Sequence, residues 1–151
     1  MQIESFNAGK ESWRDRSQYE FIKQAFEVPD IAMSRLCTKQ IRDHLDSYLR
    51  KNGWATDFEV PRLPQLTITA KKEDLAFQIQ TGNVSRYAYD LLKLESIYRS
   101  GNIAGACLAA PTRLAAKKIN GNIATSERIC NEMQLFKEII QVPLLVISFE
   151  D

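Results

Sequence analysis

The sequence is poor in the side chains that build the commonest catalytic and metal centres. It contains one histidine, His44, and three widely spaced cysteines, Cys37, Cys107 and Cys130. No C-x-x-C pair occurs, so neither a zinc module nor a disulfide framework is legible. Each cysteine lies in an apolar context such as "IAGACLAAP", which fits buried, reduced thiols. His44 flanks the apolar stripe of a helix and is expected to be structural or superficial. No apolar run approaches the roughly 20 residues that span a bilayer, and no basic start followed by an apolar stretch marks a signal peptide. A cytoplasmic protein without a membrane partner is the expectation. Charge of one sign is also lacking: 20 Lys and Arg stand against 19 Asp and Glu, a net charge of +1. No global field announces a nucleic-acid partner, although a local patch could still make one.

Repeats, low-complexity runs and linkers are absent too, and 151 residues suit one domain with a real core. An apolar share of 44% and a charged share of 26% are ordinary for a globular chain. In "ESWRDRSQYEFIKQAF", Trp13, Tyr19, Phe21, Ile22 and Phe26 fall at roughly helical spacing, and "VPD" then interrupts. From Ser34, the residues Leu36, Cys37, Ile41, Leu45, Tyr48 and Leu49 recur at steps of three and four, as an amphipathic helix requires. That helix stops at "KNGW", where Gly53 follows basic residues.

"LTITAKKEDLAFQIQ" reads as a hairpin. Leu66, Ile68 and Ala70 alternate with Thr67 and Thr69; after the polar turn "KKED", Leu75, Phe77 and Ile79 alternate with Ala76, Gln78 and Gln80. Closing the turn is expected to set Thr67 opposite Gln78 and Thr69 opposite Ala76. Both apolar sets then share one face, and Thr67, Thr69, Gln78 and Gln80 share the other. Past "TGN", Val84, Tyr87, Ala88, Leu91, Leu94 and Tyr98 predict a helix over 84–100, with Asn83 as its N-cap. Arg86, Asp90 and Lys93 fall together on its other side. "IAGACLAA" and "VPLLVISFE" read as buried strands, "TRLAAKKI" as a basic helix, and a last helix begins near Thr125 or Ser126. Hairpin, helix, strand, helix, strand is an α/β order around a mixed sheet.

The stretches "YLRKNGW", "IQTGNVSRYAYDLLKLE", "GNIAGACLAAPT", "GNIATSERICNEM" and "VPLLVISFE" resemble the BglII-like type II restriction endonucleases of the PD-(D/E)XK nuclease superfamily. The resemblance covers about residues 34–149. It implies a restriction-endonuclease-like mixed sheet flanked by helices, a homodimer, and magnesium-dependent cleavage of a short site in double-stranded DNA. That reaction needs anionic oxygen ligands to hold Mg²⁺ against the phosphate and to activate a water. The family supplies an aspartate on the first hairpin strand and Glu-x-Gln on the second. Here the second place reads Gln78-x-Gln80, and nine residues earlier the aspartate place falls on Thr69. Gln80 matches the family glutamine, while both acids are replaced by neutral side chains. On this reading the fold is kept, and no metal is bound unless the site is active.

Alternatives stay open at this stage. The acids could have moved to Asp57 and Glu59, which alternate as a strand face would, or to Glu73 and Asp74, although charge in a turn is expected for solvation alone. Gln78 could be an engineered change from glutamate, which would leave Thr69 unexplained. Arg86, Lys93, Arg113, Lys117 and Lys118, with Asn83, could form a phosphate-facing stripe; scattered Lys and Arg are also simply what a solvated helix face carries. A protein-interaction module, for instance a subunit beside an active homologue, is the remaining reading.

Overall fold

In the computed structural model, which describes residues 1–27 and 30–150, the chain runs β1 (Gln2–Phe6), α1 (Gly9–Arg14), α2 (Tyr19–Glu27), α3 (Cys37–Lys51), β2 (Ala55–Val60), β3 (Leu63–Lys72), β4 (Leu75–Ile79), α4 (Arg86–Arg99), β5 (Gly105–Pro111), α5 (Arg113–Ile119), α6 (Ser126–Phe136) and β6 (Leu144–Phe149). The six strands form one sheet in the order β1-β6-β5-β4-β3-β2. β5 and β6, buried at every residue, are interior strands and pair in parallel. β4 is parallel to β5, whereas β1, β2 and β3 add antiparallel partners. The expected mixed sheet flanked by helices is what the chain forms. No described helix is long and apolar enough to cross a membrane.

Because strand side chains alternate, the sheet feeds two cores. On one face Phe77, Ile79, Cys107 and Ile147 pack with Trp13 of α1, Ile22 of α2, Ile41 and Leu45 of α3, and Ile119 of α5. On the other, Ala76, Leu108 and Val146 pack with Leu91 and Leu94 of α4 and with Ile129 and Met133 of α6. Trp13 is fully buried, donates its indole N–H to the Ala106 carbonyl (3.1 Å) and stacks on Trp54. α1 comes so close to the sheet that a Cβ on Gly9 would lie 2.3 Å from the Leu144 carbonyl oxygen.

Several sequence expectations need correction. The first helical segment is two helices, because Ser17 takes a left-handed φ of 56° and Gln18 N–H turns back to the Trp13 carbonyl. The interruption expected at "VPD" includes Val28 and Pro29, which lie outside the described residues. The α4 helix begins at Arg86 with Ser85 at the N-cap position. Asn83 does not cap it: its Oδ1 accepts from the N–H and hydroxyl of Ser85, closing a local turn. A strand at residues 2–6 was not legible, since it is an edge with one buried neighbour and little alternation.

The hairpin register also differs. Ala70, Lys71 and Lys72 stand opposite Phe77, Ala76 and Leu75, so the turn is the two residues Glu73 and Asp74. Glu73 adopts a left-handed φ of 49° to close it. A shift of two residues would by itself leave every side chain on its expected side of the strand; it brings Thr69, not Thr67, across from Gln78. Ile68 and Ala70 nevertheless separate, Ile68 joining the core under α4 and Ala70 the core under α3. The regular ladder stops at the Ala70–Phe77 pair, and the strands splay beyond it.

Candidate functional site

Where β3 and β4 part, side chains replace the missing backbone ladder. Gln78 Oε1 accepts from the Thr69 N–H (3.0 Å) and the Thr69 hydroxyl (3.3 Å), and Thr69 Oγ1 accepts from the Ile79 N–H (3.0 Å). Gln78 Nε2 donates to the Ile79 carbonyl at 3.3 Å. The two neutral side chains therefore satisfy one another and the adjoining backbone. They line a cleft of about 230 Å³ together with Thr67, Gln80, Gly82 and Asp90. Its charged walls are Arg42, Arg86, Lys93, Asp57 and Asp90, three cations against two carboxylates.

A second network ties this cleft to α4. Gln80 Nε2 donates to Asp90 Oδ2 (2.5 Å), and Gln80 Oε1 accepts from the Gly82 N–H (2.6 Å). Asp90 Oδ1 faces the Lys93 ammonium at 2.8 Å, and Lys93 also donates to the Thr67 carbonyl at 2.9 Å. Asp90 and Lys93 are both largely withdrawn from solvent, with side-chain exposures of 7% and 11%. Burying a charge is tolerable only when it is paired and hydrogen-bonded, as each is here. A Cβ at Gly82 would stand 3.1 Å from Gln80 Oε1, so the tight turn after β4 leaves little room for a larger residue.

Beyond Gly82 the surface continues into a wider cleft of about 610 Å³, lined by Arg35, Thr38, Asn83, Lys117, Asn120 and Asn122 among others. No carboxylate lines it. Thr81 sits between the two spaces and accepts from Arg42 Nε (3.3 Å) and Nη2 (3.2 Å). Arg35 and Arg42 were not singled out from the sequence. Their signal was present, because Thr38 and Arg42 lie four residues apart on α3, beside the apolar stripe of Cys37, Ile41 and Leu45, and Arg35 stands three residues before Thr38 in the turn that leads into the helix. Of the expected basic stripe, Arg86 and Lys93 lie in the first cleft and Lys117 in the second. Arg113 lines a separate hollow with Arg128, and Lys118 is exposed on α5 outside both clefts.

A family profile described as restriction endonuclease BglII/BglIII matches residues 1–149. The chain belongs to the BglII/BglIII restriction endonuclease family. The match also takes in the N-terminal third, beyond the stretches on which the resemblance rests. Among solved structures, restriction endonuclease BglII complexed with a DNA 16-mer superposes with a TM-score of 0.80 at 12% identity, covering 99% of this chain and 78% of that one. Free BglII superposes at 0.76, again at 12% identity, covering 99% and 79%. Identity this low establishes a shared fold. A comparison with curated protein sequences returns no significant match.

Against the BglII/BglIII pattern, the donor set in the cleft does not suit the Mg²⁺ that the family implies. A hard divalent ion wants several anionic or carbonyl oxygens free to turn toward it. Thr69 and Gln78 bring no charge and are already engaged with each other, while both Asp90 oxygens are held by Lys93 and Gln80. Among the described residues, no group of three or more His, Cys, Asp or Glu side chains is arranged to hold a metal ion.

The candidate displaced acids are not brought together. Asp57 does reach the cleft; its backbone is left-handed (φ 51°), it falls between the Thr56–Ala70 and Phe58–Ile68 pairs, and its carboxylate is 84% exposed. Glu59 is exposed on β2 and is not part of that lining. Glu73 and Asp74 occupy the hairpin turn, at the far end of β4 from Gln78. Asp74 accepts two 2.6 Å hydrogen bonds from Arg16, and that guanidinium holds its carboxyl below the usual carboxylate range. His44 bonds the Ala25 carbonyl (3.0 Å), away from both clefts. All three thiols are free; burial raises that of Cys107 and pushes that of Cys130 up to about 11, so both stay protonated near neutrality.

Proposed function

We propose that this member of the BglII/BglIII family is a single-domain, DNA-binding nuclease homologue whose capacity for metal-dependent cleavage is impaired. The observation that carries the reading is the closed Thr69–Gln78 pair, which fills the two positions where the family pattern calls for acids. Duplex binding is supported by the cations of the two adjoining clefts, Arg35, Arg42, Arg86, Lys93 and Lys117, on a chain whose overall charge is only +1. It is supported also by the fold shared with BglII, which was solved with a DNA 16-mer. Asn83, at the rim of the wider cleft, belongs to the same surface.

The partner set follows from the same reading: double-stranded DNA, and a second copy of the chain. Two-fold symmetric DNA sites are read by two-fold symmetric dimers. Support for a self-interface comes from an apolar groove between α4 and the end of α6, lined by Leu91, Leu92, Phe136 and Ile139. Leu92 and Ile139 are 55% and 62% exposed there, more apolar surface than a lone helix pair needs.

The test is duplex binding and plasmid cleavage measured side by side. Salt-dependent binding without nicking in Mg²⁺ or Mn²⁺ supports the reading. Absence of binding at low salt transfers the chain to the interaction-module class. A second reading, an active nuclease with a displaced acid, is favoured only by Asp57, whose left-handed backbone holds a carboxylate at the cleft. Cleavage abolished by Asp57→Ala but indifferent to Gln78→Ala would establish it.

A further inference from the structure

The cleft lacks metal-binding acids, yet it is not without a cation of its own. Lys93 reaches from α4 to the hairpin and places its ammonium between Asp90 Oδ1 (2.8 Å) and the Thr67 carbonyl (2.9 Å). Thr67 lies two residues from Thr69 and lines the same cleft. We infer that the Lys93 ammonium is a built-in substitute for the divalent ion, so that the cleft takes a duplex phosphate oxygen with no metal bound. The inference deepens the DNA-binding reading above and rests on it.

Three features support it. An ammonium has three N–H donors; Asp90 and Thr67 accept two, and the third has only the weak, 5.7 Å contact with the Tyr89 ring to give up for an oxygen in the cleft that Lys93 lines. Its position is fixed: Asp90 is itself anchored through Gln80 to the Gly82 backbone, so the cation is held by a chain of bonds spanning β3, β4 and α4. Finally, a divalent ion seeking the one buried carboxylate of the cleft would have to displace Lys93 and expose an unpaired buried ammonium, which is costly. Arg42 and Arg86, both exposed, add further cations around this one. Each phosphate neutralised contributes about 0.9 to the slope of log affinity against log salt, and that gives the site a signature separate from catalysis.

The experiment titrates a fluorescent duplex with the full chain, in EDTA and in Mg²⁺ at matched ionic strength, across a salt series. The expected result is equal affinity in both buffers. Lys93→Gln should weaken binding by roughly tenfold at low salt and lower the slope by about one, whereas Lys93→Arg should keep the slope. Should Lys93→Gln fail to fold, the Asp90→Asn/Lys93→Gln double variant removes the ammonium without stranding a carboxylate, and the same loss is expected. Binding that requires Mg²⁺, or an unchanged slope in the folded variant, would overturn this inference and leave the DNA-binding reading standing. No binding in either buffer would remove both.

Discussion

At its turn the β3–β4 hairpin carries two acids, Glu73 and Asp74; at its open end it carries Thr69 and Gln78, which are neutral. The acids at the turn are either solvated or paired with Arg16. The neutral pair at the open end lines a polar cleft walled by three cations and two carboxylates. At the turn, Asp74 holds the loop after α1 to the hairpin through Arg16, whereas Thr69 and Gln78 at the open end hold each other. At the open end the regular ladder stops and polar side chains bridge the two strands.

The largest expected effect comes from making the two ends alike in charge. Thr69→Asp with Gln78→Glu should create Mg²⁺ affinity, read by calorimetry beside an unaltered chain expected to show none, with nicking as a second readout; a few kcal/mol of regained transition-state stabilisation corresponds to about a hundredfold or more in rate. Failure of a folded double variant to bind Mg²⁺ would show that these positions are not the site. Next in size is Asp90→Asn, which leaves the Lys93 ammonium without its buried partner. We expect a loss of about 3 kcal/mol in urea unfolding, partly recovered by adding Lys93→Gln.

Leu92→Asp with Ile139→Asp addresses the apolar groove. If a second copy covers it, light scattering should show a dimer for the parent chain and a 17.3 kDa monomer for the variant. A parent chain that is already monomeric at micromolar concentration counts against the self-interface.

The smallest effect belongs to the turn. Arg16 lowers the folded-state pKa of Asp74, so the pair's contribution is present above the unfolded carboxyl value near 3.9 and is lost as pH falls through the lower folded value. Asp74 is 44% exposed, so screening limits the contribution to about 0.5 kcal/mol. Stability curves of the parent and Arg16→Gln should therefore differ slightly at neutral pH and converge in acid. A gap that widens below pH 4 would contradict this assignment.

Strong periodicity made most elements legible. The stripe of Ile41, Leu45 and Leu49 specified α3, and the continuous apolar runs specified β5 and β6. Register was harder to read, because a shift of two residues preserves every face and only the turn geometry decides it. Thr69 and Gln78 could be named from the family spacing, yet their mutual hydrogen bonds depend on strand splay, which no local pattern encodes. Arg42 was passed over because a polar helix face looks the same whether it meets solvent or a cleft, and Arg35 because it stands in the turn before that helix. The ion pair of Asp90 and Lys93 was visible as helical spacing, while its attachment to Gln80 and Thr67 is a tertiary fact.

The central claim is that this cleft engages DNA without the metal chemistry of its family, and the conversion of supercoiled plasmid by the unaltered chain in Mg²⁺ and Mn²⁺ tests it most directly. The plasmid should stay supercoiled at protein concentrations that saturate duplex binding. Robust cleavage that persists in Gln78→Ala and disappears in Asp57→Ala would contradict it.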